Sequence, residues 1–280
     1  MPAGVEAVLA GAPPTRSAIH LFSLVNRVAL VTGGHRGIGL ELALAMAELG
    51  AIVYCLDLPA APDNDWFKVK KYAAEMPDVD DQLGKGRLEY MCGDVTNQQE
   101  MWKASEAIVE REGRIDIAIA NAGITQTIGC LEYPAEDFKK ILDINVSGVL
   151  FTAQAVGRQM ERLGIPGSII LIASMNGSVA NRHWMGYNTS KSAVLQMGRS
   201  LACELAPKGI RVNTISPGYT HTSMTKMVLE DKPTLEAELS AQNPMGRFGR
   251  PDELRGVALW LASDASSFCT GSDIRVDGGQ

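Results

Sequence analysis

Four side chains in the middle of this 280-residue sequence have types and spacings that suit acid/base chemistry: Asn145, Ser174, Tyr187 and Lys191. Tyr187 and Lys191 lie four apart in Tyr187-Asn188-Thr189-Ser190-Lys191, so in a helix they share a face. A phenol with an ordinary pKa near 10 is a poor base at neutral pH, and a neighbouring ammonium favours its phenolate. The pairing therefore predicts a tyrosine acid/base tuned downward by lysine. Ser174 closes an apolar strand thirteen residues earlier, where its hydroxyl can bond a substrate carbonyl oxygen. Asn145 sits inside a helical pattern, where Asn has low propensity and is expected to serve something besides the helix. Each feature alone is commonplace, since Tyr and Lys at i and i+4 occur on many ordinary helices.

A second constellation gives the first its context. The run from Val28 to Gly39 (VALVTGGHRGIG) passes from an apolar strand through a glycine-rich turn into a helix. Gly33, Gly37 and Gly39 remove side-chain bulk where a phosphate must approach the backbone. The amides of His35, Arg36, Gly37 and Ile38 then face the negative charge at a helix start. Asp57 ends the next strand, 18 residues beyond Gly39, near the distance at which an acid accepts the adenosine ribose hydroxyls. A carboxylate there repels a 2′-phosphate, so NAD is expected over NADP. Arg36 pulls the other way, because a guanidinium in the turn suits that phosphate, and NADP stays open.

The elements that must position these groups alternate along the chain. Strands are expected at Val28–Val31, Ile52–Leu56, Leu88–Met91, Ile115–Ala120, Ser168–Ile172, Arg211–Ile215 and Asp273–Val276. Helical periodicity covers Gly39–Leu49, Gln98–Glu110, Ala135–Leu163, Gly186–Ala206 and Pro251–Ala262. Such alternation implies βαβ units and one doubly wound α/β domain, with a mostly parallel sheet of about seven strands. Residues 1–26 read as a loose N-terminal extension and 27–280 as the dinucleotide-binding catalytic domain. Residues 58–86 read as a surface insertion around a short helix, Trp66–Glu75. Residues 219–248, rich in Met, Thr and Leu, read as a substrate loop that closes as a lid, with fixed packing as the alternative.

Taken together and in order, these marks resemble the short-chain dehydrogenase/reductase family, in its classical branch, from Arg27 to the C-terminus. They are Thr32-Gly33-x-x-x-Gly37-x-Gly39, Gly93-Asp94-Val95, Asn121-Ala122-Gly123, Asn145, Ser174, Tyr187-x-x-x-Lys191, Pro217-Gly218 and Asp277-Gly278-Gly279. The resemblance implies a Rossmann-type fold and hydride transfer between a nicotinamide dinucleotide and a secondary alcohol or ketone. By the same resemblance Tyr187 exchanges the hydroxyl proton, and Lys191 lowers its pKa and holds the nicotinamide ribose. Ser174 orients the substrate oxygen, and Asn145 positions a water toward Lys191. Asp94 and Val95 would contact adenine, Asn121, Ala122 and Gly123 would line the cleft, and Pro217, Gly218, Thr220 and Thr222 would meet the nicotinamide half. The family's usual assembly implies a homotetramer, or a homodimer, built partly on the helices carrying Asn145 and Tyr187. Thr220 stands where the family usually has an apolar residue.

Gln126, Asn176, His183 and Tyr219 are the candidate substrate-facing residues, with Met175, Trp184 and His221 beside them. Their hydrogen-bonding groups suit a sugar alcohol or ketose. NADP-dependent reduction of other ketones is the alternative, and a dinucleotide-binding regulatory protein without turnover is a third reading. The presence of Ser, Tyr and Lys together speaks against that third reading.

Composition narrows the field further. A net charge of −6 without any Lys/Arg cluster argues against nucleic acid or an anionic membrane as partner. The four histidines and five cysteines show no metal-ligand spacing. Five dispersed cysteines suggest reduced, mostly buried thiols inside a cell. A cytoplasmic location is expected, with Arg16 and Ser17 leaving a mitochondrial presequence open.

Overall fold

The computed structural model describes residues 4–11, 17–76, 86–230 and 234–280. Its strands are β1 (Val28–Thr32), β2 (Ile52–Asp57), β3 (Arg87–Cys92), β4 (Ile117–Ala120), β5 (Gly167–Ile172), β6 (Ile210–Pro217) and β7 (Asp273–Val276). All pairings are parallel and the order is β3-β2-β1-β4-β5-β6-β7. The chain turns back between β1 and β4, and in such sheets ligands bind beyond the carboxyl ends at that point. The continuous apolar runs read as strands are what a sheet covered on both faces needs. All five residues of β1 and all four of β4 are buried.

Ten α-helices are described: α1 (Val5–Leu9), α2 (Gly37–Glu48), α3 (Asn64–Glu75), α4 (Gln98–Glu112), α5 (Ala135–Leu142), α6 (Gly148–Leu163), α7 (Met185–Leu205), α8 (Ser223–Leu229), α9 (Leu235–Ala241) and α10 (Arg255–Ala262). Helices α4, α6 and α7 bury Met101, Ile108, Val156 and Val194 against one face of the sheet. Helices α2, α3 and α10 bury Leu42, Met46, Trp66 and Leu261 against the other.

The expected helix over 135–163 is interrupted by a π-helical segment, Asp143–Ser147, which carries Asn145. Such widened turns are frequent at functional sites. The expected helix from Pro251 opens as a 3-10 turn, Pro251–Leu254, before α10. Residues 58–76 are not merely a surface excursion. They hold α3, the crossover that parallel β2 and β3 require, and Trp66 and Ala73 are buried there. The remainder of that segment, 77–85, lies outside the described residues, as do Arg16 and residues 231–233 of the loop. At the other end Leu24 is core, its N–H donating to the Leu49 carbonyl at 2.9 Å.

The expectation of mostly buried thiols is corrected. Cys55 is buried beneath the glycine-rich turn, whereas Cys92, Cys130 and Cys203 are exposed. Cys92 ends a strand and Cys203 lies on the outer face of α7, positions that periodicity alone did not separate from the core.

Candidate active site

Gly33 adopts φ +63, and at Gly39 a Cβ would run into the Gly33 carbonyl, so the chain can make this turn only without side chains there. Asn121 locks the turn from β4: its Nδ2 donates to the carbonyls of Thr32 and Gly33, both at 3.1 Å. Asp57 braces it from β2. Its carboxylate accepts from the N–H of His35 at 3.2 Å and of Leu58 at 2.8 Å. His35 is itself held, with Nε2 accepting from the Asp63 N–H at 3.1 Å. Arg36 is exposed at the head of α2, its carbonyl accepting from the Leu40 N–H at 3.3 Å, and its guanidinium has no hydrogen-bond or ion-pair partner among the described residues.

These groups border a cleft of about 600 Å³, a volume usual for ligand sites. Gly33, His35, Arg36, Gly37, Ile38, Asp57, Asp94, Val95, Asn121, Ala122, Gly123 and Thr222 all line it. Gly39 lies beneath it, buried. Sequence reasoning missed Leu58 and Pro59 at the Asp57 end, and Ile124, Thr125 and Ile144 at the other, where Met224 and Met227 of the 219–248 loop also line the cleft. The extended start of the 58–86 segment was the available signal for the first pair. Thr125 has a buried hydroxyl with no protein partner, a polar atom facing a ligand site rather than a core.

A smaller cavity of about 110 Å³ continues from this cleft past the shared residues Ile38, Asn121, Gly123, Thr222 and Met224. Ser174, Tyr187, Lys191, Pro217, Gly218 and Thr220 line it. The three groups read from spacing thus meet where the dinucleotide cleft ends. A further cavity of about 450 Å³, lined by Arg27, Asp116, Arg211 and Phe268, opens at the opposite edge of the sheet, away from this chemistry.

Lys191 is 4% exposed and donates from Nζ to the Ile172 carbonyl at 2.8 Å. Its Nζ lies 5.6 Å from the Tyr187 ring centre. Burial pulls its pKa down to about 8. Burial pushes the Tyr187 phenol up, opposed by the hydroxyl of Ser174. Desolvation is thus the larger influence on the phenol in the unliganded site, and the Ser174 hydroxyl is the group that opposes it. Asn145 is fully buried and clamps two elements together. Its Oδ1 accepts from the Ile124 N–H, while Nδ2 donates to the Ile124 carbonyl and to Ser190 Oγ, at 2.9, 2.9 and 3.0 Å. Ser190 Oγ in turn donates to the Tyr187 carbonyl at 2.7 Å.

The substrate-facing candidates are scattered. None of Gln126, Asn176, His183 or Tyr219 lines either cavity. Gln126 Oε1 accepts from the Tyr133 hydroxyl at 2.5 Å, and its amide nitrogen has no partner among the described residues. Asn176 is buried at 2% exposure. His183 is exposed with φ +66, and its carbonyl accepts from the Ile128 N–H. Tyr219 is buried and stacks on Phe248 at 5.1 Å, forming an apolar cluster with Met175, Trp184, Leu229 and Leu239. The Trp184 ring also lies edge-on to Tyr187, 6.1 Å away. His221 leans away toward Glu236. Polar side-chain type predicted a hydrogen-bonding wall; in the structure these residues lie outside both cavities, with an aromatic cluster packed beside Tyr187.

Among the described residues no group of three His, Cys, Asp or Glu is placed to hold a metal, and no helix is long and apolar enough to cross a membrane. A doubly wound parallel sheet with this turn and this Ser-Tyr-Lys cluster defines a dinucleotide-dependent oxidoreductase. Comparison with known proteins agrees. A family model described as enoyl-(acyl carrier protein) reductase matches residues 33–280. The chain is 41% identical over 262 residues to the sorbose reductase sou1 of Schizosaccharomyces pombe, covering 92% of this chain and 97% of that one. It is 37% identical over 269 residues to a probable NADP-dependent mannitol dehydrogenase of Yarrowia lipolytica, covering 95% and 91%. A crystal structure of a short-chain type dehydrogenase/reductase from Mycobacterium marinum superposes with TM-score 0.84 at 40% identity, covering 94% and 98%. The chain belongs to the short-chain dehydrogenase/reductase family. It is an oxidoreductase acting on CH–OH groups with a nicotinamide dinucleotide.

Proposed function

We propose that the protein interconverts a sugar alcohol and its ketose, with NAD(H) preferred, and that Tyr187 moves the proton. The observation that carries this reading is the convergence of Ser174, Tyr187 and Lys191 on one small cavity at the end of the dinucleotide cleft. The residues fit the cofactor: a side-chain-free turn, a helix start, Asp57 at one end and the unpartnered Thr125 hydroxyl at the other. The bound nicotinamide supplies the hydride acceptor or donor at the substrate carbon. In oxidation Tyr187 Oη takes the substrate hydroxyl proton, and in reduction it returns it. Ser174 bonds the same substrate oxygen, Lys191 holds the nicotinamide ribose, and Asn145 fixes the Ile124 loop against α7. The names of the sorbose and mannitol relatives support the polyol class. A homotetramer or homodimer in the cytoplasm, joined through α6 and α7, completes the reading.

NADP-dependent reduction of less polar ketones is the second reading. The aromatic cluster of Trp184, Tyr219 and Phe248 beside Tyr187 favours it, as does the Arg36 guanidinium, which no described residue pairs. Against it, and in support of NAD, stands the Asp57 carboxylate, which lines the cleft and would face a 2′-phosphate, whereas the mannitol relative's name speaks for NADP. The test is nicotinamide absorbance with mannitol, sorbitol, fructose, sorbose and 2-hexanone, each with both cofactors. Polyol and ketose turnover with NAD(H) favoured is expected, and Asp57→Ala should raise the NADP(H)/NAD(H) activity ratio. Turnover of 2-hexanone alone would establish the second reading. A strong NADP(H) preference unmoved by Asp57→Ala would mean that Arg36 governs.

A further inference from the structure

Between Ser174 and Tyr187 the chain makes a turn and a loop before entering α7, and three asparagines bridge the gap from the inside. Asn188, the residue after Tyr187, donates from Nδ2 to the Asn181 carbonyl at 3.2 Å. Asn181 donates from Nδ2 to Asn176 Oδ1 at 2.9 Å. The main-chain N–H of Asn176 donates to Ser174 Oγ at 3.2 Å. A continuous line of hydrogen bonds therefore runs from the helix carrying the proton-transfer phenol to the hydroxyl that opposes its upward shift. We infer that Asn176, Asn181 and Asn188 form a positioning relay that sets the Ser174 hydroxyl against Tyr187, with Asn181 as its hub.

Two observations separate this from ordinary loop packing. First, the cluster is expensive for stability. Asn176 is 2% exposed, yet its Nδ2 has no partner among the described residues, and neither does the buried Oδ1 of Asn188. A half-satisfied buried polar network is worse than apolar packing, so these side chains do not serve the core. Second, the relay fixes the direction of the serine proton. With the Asn176 N–H directed at its Oγ, Ser174 keeps its own O–H for a substrate oxygen or for the phenol. A parallel tie on the other side of the turn, Ser192 Oγ donating to the Gly177 carbonyl at 2.7 Å, holds the backbone but does not touch Ser174 Oγ.

The inference rests on Ser174 and Tyr187 acting as proposed above, and the test keeps the two apart. The full-length enzyme is assayed with its best polyol over a range of pH, alongside melting temperature and dinucleotide affinity by fluorescence. Asn181→Ala should lower kcat by up to roughly a hundredfold, the scale of a misplaced catalytic group. KM and cofactor affinity should stay close to wild type, and the alkaline rise of the oxidation rate should move to higher pH. Asn176→Ala combined with Asn181→Ala should be no slower than the slower single variant, since both cut one line. Asn181→Asp should recover most of the rate, because the Asn176 amide can turn its unpartnered Nδ2 toward the new carboxylate. If Asn181→Ala loses melting temperature but keeps the wild-type kcat and pH profile, the relay is structural only and the inference falls. If instead Tyr187→Phe turns over normally, the reading of the site falls and the relay with it.

Discussion

Lys191 shows what the site costs at the scale of one residue. An ammonium buried to 4% exposure, with one carbonyl as partner, has its pKa lowered from 10.5 to about 8. Between those two values the unfolded chain binds more protons than the folded one, so this residue's contribution to stability rises with pH across that window. Below pH 8 the full penalty is present, about 3 kcal/mol by linkage. Lys191→Met should therefore raise stability at pH 7 while abolishing turnover, and the gain should vanish by about pH 10.5. Chemical denaturation of both proteins at the two pH values checks this; an equal difference at both would show that lysine burial carries no charge penalty. The identity of this residue was legible from the Tyr-x-x-x-Lys spacing. Its pKa and that of Tyr187 were not, because desolvation depends on what Ile172, Gly123 and the surrounding strands place around the pair. Asn176 is the converse case, a polar residue near the site in sequence that packing buried, its main-chain N–H donating to Ser174 Oγ.

At the scale of elements, periodicity located all seven strands and every major helix, since those patterns are set by burial on a two-faced sheet. It did not show the π segment at Asn145, which depends on a side chain bonding across to Ile124 and Ser190 rather than on local pattern. Nor did it show α3 as crossover rather than insertion, because Pro and Asp at both ends masked one buried face. A lid role for the loop over 219–248 is a proposal that a cleavage experiment tests. Its two ends are pinned: the His221 N–H donates to the Gly249 carbonyl, the Gly249 N–H to the Tyr219 carbonyl, and Asn243 Nδ2 to the Asp277 carbonyl. Between those pins α8 has no buried residue, and its Met224 and Met227 line the dinucleotide cleft. A short helix with little buried surface opens at low cost, and closing it would exclude water from hydride transfer. Limited proteolysis should cut within 223–230 or 234–242 in the free enzyme and be suppressed by dinucleotide plus polyol. Equal resistance in both states would make α8 and α9 static packing.

Across the whole molecule, chemistry and stability occupy opposite edges of one sheet. At the carboxyl edge the strands end in the cleft, with glycines, buried polar groups and a desolvated lysine that weaken packing. At the amino edge Asp116, 2% exposed, gathers β1 and the start of β4. It accepts from the Val28 N–H at 2.9 Å, from Arg114 at 2.6 and 2.9 Å, and from Arg27 at 3.2 Å, while Arg27 also reaches Asp264 at 3.3 Å. The Asp116 main chain continues the staple, its carbonyl accepting from the Ser168 N–H of β5 at 2.9 Å. Removing the carboxylate leaves a buried N–H unsatisfied and two part-exposed guanidinium groups without their shared partner. Asp116→Ala should accordingly lower the unfolding free energy by about 2–4 kcal/mol, read as a lower denaturant midpoint. Because the staple and the cleft share only the rigid length of β1 and β4, KM and the NAD(H)/NADP(H) ratio of the folded variant should match wild type. A change in either would mean that the sheet transmits strain from one edge to the other, and that the separation of stability from chemistry in this fold is incomplete.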